Sequence, residues 1–293
     1  MMLTITTPRK ENVGKKTSMG LTRPPWLIQD NAANINKQQA KDSRQASLQM
    51  LVYHQFCPIY KKIETYARYL SDLLDGQLTF YETEAQTNVN FKDLANQKNQ
   101  DLVIYGEPNQ SWIKQLFTDP VGCKAVKCLP MSVLVVRQPH WPLQKMLLIT
   151  QGHETDNVAV DWLLRLARPD HTAVTVLVLG PEMSPVYRQA MIDMPSRLFE
   201  WFITSSPLGQ QLHRIADRLE NWDVEEHLRF HQGSPDQQIQ REVEQEDYDL
   251  IVISADPCDW WLRRMLGEVV NPLLRWRERS VLVAKPIISQ EVQ

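Results

Sequence analysis

Cysteine is sparse in this sequence. Of 293 residues only Cys57, Cys123, Cys128 and Cys258 are cysteine, and no two of them form a C-x-x-C pair. That excludes a disulfide-rich framework and leads us to expect reduced thiols and a cytoplasmic address. An excess of positive charge is also missing. Lys and Arg number 32 against 35 Asp and Glu, a formal net charge of −3. A chain that holds nucleic acid through its bulk field would be strongly basic, so no nucleic-acid partner is expected. Long apolar runs are absent. The longest, such as Val174-Thr175-Val176-Leu177-Val178-Leu179, are strand-sized and fall far short of the ~20 residues that span a bilayer. Met1 to Lys16 contain no apolar core of the length a secretory leader needs. Catalytic signatures are lacking as well. There is no G-x-S-x-G elbow, no G-x-G-x-x-G after a strand, no Walker loop and no Ser-His-Asp constellation. No catalytic residue is therefore assigned.

What is present divides into a tail and a pattern that occurs twice. Residues 1–46 carry eight basic residues against Glu11, Asp30 and Asp42, a local charge of +5. The stretch is rich in Asn, Gln, Thr and Lys and has too little apolar surface to offset its ordering entropy. We expect a flexible basic tail, able to tether an anionic partner. Beyond it, short apolar runs, several of them of Val, Ile and Leu, alternate with helix-period segments. The runs are 49–54, 77–82, 102–105, 132–136, 146–150, 174–179, 226–230, 250–253 and 281–284. Runs without alternation suit strands covered on both faces. Ile59, Ile63, Tyr66, Ala67 and Leu70 share one helical face, and Val160, Leu163, Leu164 and Ala167 share another. The expected fold class is α/β, with two tandem doubly wound, mostly parallel sheets over 47–138 and 143–287.

The two halves are related. Asp101-Leu102-Val103-Ile104 and Asp249-Leu250-Ile251-Val252 lie 148 residues apart, as do Ser132-Val133-Leu134-Val135 and Ser280-Val281-Leu282-Val283. A constant offset over the last strand–helix–strand unit is the mark of internal duplication. The first strands, near Met50 and Met146, are only 96 apart. The first half thus has room for about four strands against five. The second half carries a long insertion from Pro181 to about Leu208, with an apolar cluster of Leu198, Phe199, Trp201, Phe202 and Ile203.

Lys145-Met146-Leu147-Leu148-Ile149-Thr150-Gln151-Gly152 and the helix through Trp162 and Ala167 resemble the opening of a universal stress protein domain. Asp249–Ser254, Arg263–Val269 and Ser280–Val283 resemble its close. The whole is similar to a tandem member of that family with a truncated, degenerate first copy. In nucleotide-binding members, G-x2-G-x9-G-[ST] closes around ATP phosphates, because glycines let backbone N–H groups approach and the hydroxyl adds a donor. Here the pattern falls on Ser254, Pro257, Gly267 and Glu268. Pro257 has no N–H to give, and Glu268 places a carboxylate near the phosphates. Trp260 and Trp261 add bulk. The first copy offers Gly106, Asn109, Asp119 and Pro120. The family's acidic residue at the end of the first strand is Gln151 here, and Val178 stands where backbone would face adenine. The resemblance therefore implies a non-enzymatic stress-response regulator or scaffold without a cofactor. The alternative is an ATP sensor that uses Gln151, Gly152, Val178 and Gly267 with altered phosphate contacts.

Other candidates have plainer readings. His227 and His231 share a strand face, read as the solvated side of an edge strand. Cys123 and Cys128 read as core thiols on a short helix after Asp119-Pro120. Cys258 lies between Asp256 and Asp259, which disfavour a thiolate. Trp260, Trp261 and Trp276, with Pro272 and four nearby arginines, suggest an apolar patch for a protein partner or homodimer. In the resembled family the edge beside the last strand mediates dimers, which in a tandem chain implies pairing between the copies.

Overall fold

The computed structural model describes residues 3–6, 47–54, 60–82, 100–106, 125–126, 128–168, 171–180, 206–232, 234–255, 273 and 279–286. In chain order the elements are β1 (Leu3–Thr6), β2 (Gln49–His54), α1 (Tyr60–Leu74), β3 (Gln77–Glu82), β4 (Leu102–Gly106) and β5 (Ser132–Val136). The second half adds β6 (Lys145–Thr150), a 3-10 turn (Glu154–Asp156), α2 (Asn157–Leu166), β7 (Ala173–Gly180), α3 (Pro207–Asn221), β8 (Glu225–Gln232), α4 (Pro235–Gln245), β9 (Leu250–Ser254) and β10 (Ser280–Ala284).

Apolar runs become strands where both faces are covered. Even-numbered residues such as Met50, Val52, Leu102, Ile104, Leu134, Met146 and Leu148 join one core beneath α1, α2 and α3. Odd-numbered neighbours such as Leu51, Val103, Val133, Leu147 and Ile149 join a second core beneath α4 and the helical turn near Ala125. Alternation along each strand feeds the two layers in turn. Of the helix faces read from the sequence, Ile63, Tyr66, Ala67 and Leu70 are buried on α1 and Val160, Leu163 and Leu164 on α2; Ile59 lies outside the described residues.

The strands of the two halves join into one ten-stranded sheet of order β1-β8-β7-β6-β9-β10-β5-β4-β2-β3. Pairing within each half is parallel, with four strands (β2 to β5) in the first and five (β6 to β10) in the second. The halves meet through an antiparallel pair, Val281↔Val135, Leu282↔Leu134 and Val283↔Val133. Leu134 and Leu282 are themselves 148 residues apart, so a local two-fold axis passes between them. The flanking contacts obey it. The Lys285 amide donates to Ser132 Oγ at 3.1 Å, and the Arg137 amide donates to Ser280 Oγ at 3.1 Å. Each cation also crosses to the opposite half: Arg137 Nη1 reaches the Leu273 carbonyl at 3.3 Å, and Lys285 Nζ reaches the carbonyls of Val126 and Leu129. Beside the seam, Tyr69 Oη accepts from the Leu143 amide at 3.2 Å. Trp141, 40% exposed, leans on Tyr66 with 6.0 Å between ring centroids.

Three differences from the sequence reading have physical reasons. Leu3–Thr6, expected within the flexible tail, forms β1 and pairs antiparallel with β8. Its Leu-Thr-Ile-Thr alternation is strand-like but too short to show as a period. The same pairing takes β8, the strand of His227, away from the sheet edge; His227 Nε2 lies 3.6 Å from Glu225 Oε1. Cys128, expected in the core, is exposed, since the buried side of its turn is taken by Ala125, Val126 and Leu129. The rest of the tail, the insertion cluster at 198–203, Cys57, Cys123 and Cys258 lie outside the described residues.

Candidate functional site

The strand order reverses between β6 and β9, so a crevice opens at their carboxyl ends, the usual place for a ligand in such sheets. The chain's own carboxylate sits there. Asp156, 6% exposed, stands at the start of α2, where the helix dipole favours negative charge. Its Oδ2 accepts from Thr150 Oγ1 at 2.5 Å and from the amides of Gln151, Gly152 and His153 at 3.0, 3.1 and 3.2 Å. Its Oδ1 accepts from Ser254 Oγ at 2.5 Å. Three successive N–H groups converging on one oxygen form an anion nest, here filled from within. The carboxylate ties the end of β6 to the end of β9.

Neighbouring packing closes over this knot. Gly152 adopts φ +77, and a Cβ there would lie 2.1 Å from Leu208 Cδ1. Leu208 belongs to the first turn of α3, which is capped by Ser206 Oγ accepting from the Gly209 amide at 3.0 Å. Gln211 Nε2 donates to Asn157 Oδ1 at 3.0 Å, holding α3 against the start of α2.

The structure therefore brings together three of the four candidate residues. Gln151 and Gly152 contribute backbone amides to the nest. Val178 is buried on β7, opposite Thr150 on β6 and Phe230 on β8. Gly267 lies outside the described residues, as do Pro257, Trp260, Trp261, Glu268 and Trp276. In the first half, Gly106 ends β4, and a Cβ there would lie 2.2 Å from Ile63 Cδ1; Asn109, Asp119 and Pro120 lie outside the described residues. Sequence reasoning missed Asp156. The signal was there: an acid immediately before a helix that follows a strand end.

A second polar cluster lies under α4. Glu242, fully buried, accepts from Arg229 Nη1 at 2.5 Å and from Tyr248 Oη at 2.5 Å. Arg229 Nη2 reaches Glu246 Oε1 at 2.9 Å, and Lys145 Nζ reaches Glu246 Oε2 at 3.4 Å. Burial alone would lower the Arg229 guanidinium, but its hydrogen bond to Glu246 and the charge of Glu242 hold it above its ordinary value. The bond from Arg229 holds the Glu246 carboxyl below its ordinary value, against burial. Both acids are consumed by ion pairing, so this cluster fastens α4 to β8. Among the described residues no group of three or more His, Cys, Asp or Glu could hold a metal, and no helix is long and apolar enough to cross a membrane.

Residues 142–285 match the family model described as the universal stress protein family. A functionally unknown protein from Pseudomonas aeruginosa PAO1 shares the fold at 15% identity, TM-score 0.51, covering 90% of each chain. A candidate universal stress protein from Pseudomonas aeruginosa UCBPP-PA14 does so at 15% identity, TM-score 0.52, covering 89% of this chain and 90% of that one. No curated protein sequence matches.

Proposed function

We propose, from the premise that residues 142–285 belong to the universal stress protein family, that this chain acts by associating with other proteins. On this reading it is a stress-response regulator or scaffold and performs no chemistry on a nucleotide. The observation that carries the reading is the Asp156 knot. Ser254 is the first position of the degraded phosphate pattern, and its hydroxyl is committed to Asp156 Oδ1. The amides after β6 are committed to Oδ2. A second negative charge about 4 Å from such a carboxylate meets roughly 1 kcal/mol of repulsion in water, and several times that when partly buried. By the family pattern, Pro257 would remove a donor and Glu268 would add charge in the same direction.

The test is thermal unfolding with and without millimolar ATP, ADP and AMP. Saturation at a hundred times Kd would add about 2.7 kcal/mol of stability and raise the melting temperature by several degrees. The association reading expects no rise with any adenine nucleotide. A rise, or nucleotide released when the cell-purified protein is denatured, would replace it with the sensor reading through Gln151, Gly152, Val178 and Gly267.

A further inference from the structure

Asp156 is held as a bound carboxylate would be. Four donors meet its Oδ2, namely the Thr150 hydroxyl and the amides of Gln151, Gly152 and His153. Ser254 Oγ meets its Oδ1. These groups come from the end of β6, the loop after it and the end of β9, on both sides of the strand-order reversal. None of them belongs to α2, which begins at Asn157, so the cradle is more than a helix start. Contacts other than those to the acid also shape it. Thr150 Oγ1 accepts from the Gly152 amide at 3.0 Å, and Gly152 keeps its positive φ beneath the tip of Leu208. One donor is in reserve: the Thr155 hydroxyl is buried and has no partner among the described residues.

The donors also state which anion fits. All five are neutral N–H or O–H groups, and no Lys or Arg shares them. Uncharged donors in a buried place suit a single negative charge better than the double charge of a phosphate. A flat group with two oxygens matches the way both Asp156 oxygens are served. We infer that Asp156 selects what this crevice takes: it is the resident ligand of a carboxylate site and shuts out carboxylates from solution. Its covalent attachment gives it an effective concentration that a free anion does not reach. This rests on the association reading, in which the crevice takes no nucleotide, and names the residue that enforces it.

The test empties the cradle in the full chain. Asp156→Gly removes the side chain and leaves the donors, whereas Asp156→Asn removes the charge and keeps the volume. Melting temperatures of the wild type and both variants are compared in about 200 mM sodium formate and in sodium chloride of equal ionic strength. Formate should raise Asp156→Gly by roughly 3 °C or more and move the other two by less than about 1 °C. Inorganic phosphate at matched ionic strength should raise Asp156→Gly less than formate does. If Asp156→Gly is unfolded in chloride, formate should restore its circular dichroism. An equal rise in Asp156→Gly and Asp156→Asn is a salt effect on any weakened chain and overturns the inference. So does an Asp156→Gly that formate neither stabilises nor refolds, or one that phosphate stabilises more. A wild type stabilised by ATP removes the association reading whatever formate does. An Asp156→Gly indifferent to formate, in a chain whose wild type ignores ATP, removes this inference alone.

Discussion

At the scale of single residues, Asp156 is the side chain on which most converges. It accepts five hydrogen bonds, two from hydroxyls and three from amides. Asp156→Asn removes the charge and turns an NH2 group toward donors. We expect a loss of about 2–3 kcal/mol in urea unfolding, typical of charge-assisted bonds and a stranded buried group. Gly152→Ala combines a positive φ with the Leu208 contact. About 1 kcal/mol is expected from the backbone alone, and Leu208→Ala in the same chain recovers only the steric part. The difference between the single and double variants measures how far the tip of Leu208 can yield. Asp156 escaped the sequence reading because one of its partners, Ser254, lies 98 residues away. Local pattern could mark the acid as a helix-start residue but could not say which distant hydroxyl it would hold.

At the scale of elements, the central strands were legible because β2, β4 to β7, β9 and β10 lie between two cores and read as apolar runs. The constant 148-residue offset relates β4 to β9 and β5 to β10 in the sequence alone. β1 was not legible, since four residues in a polar stretch give no period and its partner lies more than 200 residues on. The α4–β8 fastening also stayed hidden, because Arg229, Glu242 and Glu246 look like ordinary surface charges in a one-dimensional reading. That fastening gives a pH-dependent prediction. Glu246 has a depressed value in the folded state, so its contribution is complete above the unfolded value of roughly 4.3 and fades as pH falls through the folded one. Glu246→Gln should cost about 1 kcal/mol at pH 6. The gap to the wild type, followed by urea midpoints down to pH 3, should narrow toward zero.

At the scale of the whole molecule, the seam between β5 and β10 makes one sheet of two halves. Leu134 and Leu282 face each other across it. Each Leu→Ala change should cost about 2–4 kcal/mol, and the double variant less than the sum, because contacting residues couple. Guanidinium unfolding of the wild type should show one transition, whereas seam variants that separate the halves should show two. Lys285 tests the seam by titration. Burial pushes its ammonium down to about 8. Between that value and the ordinary one the unfolded chain holds the extra proton, so stability attributable to Lys285 rises with pH through that window. The wild type should therefore gain on Lys285→Met from pH 7.5 to 10, read as the difference in melting temperature. The antiparallel join has a geometric corollary. All strands of one half run against those of the other, so their mouths open toward opposite poles of the molecule. No single small molecule can bridge both mouths. A macromolecule that grasped the two together would have to reach around the protein like a caliper.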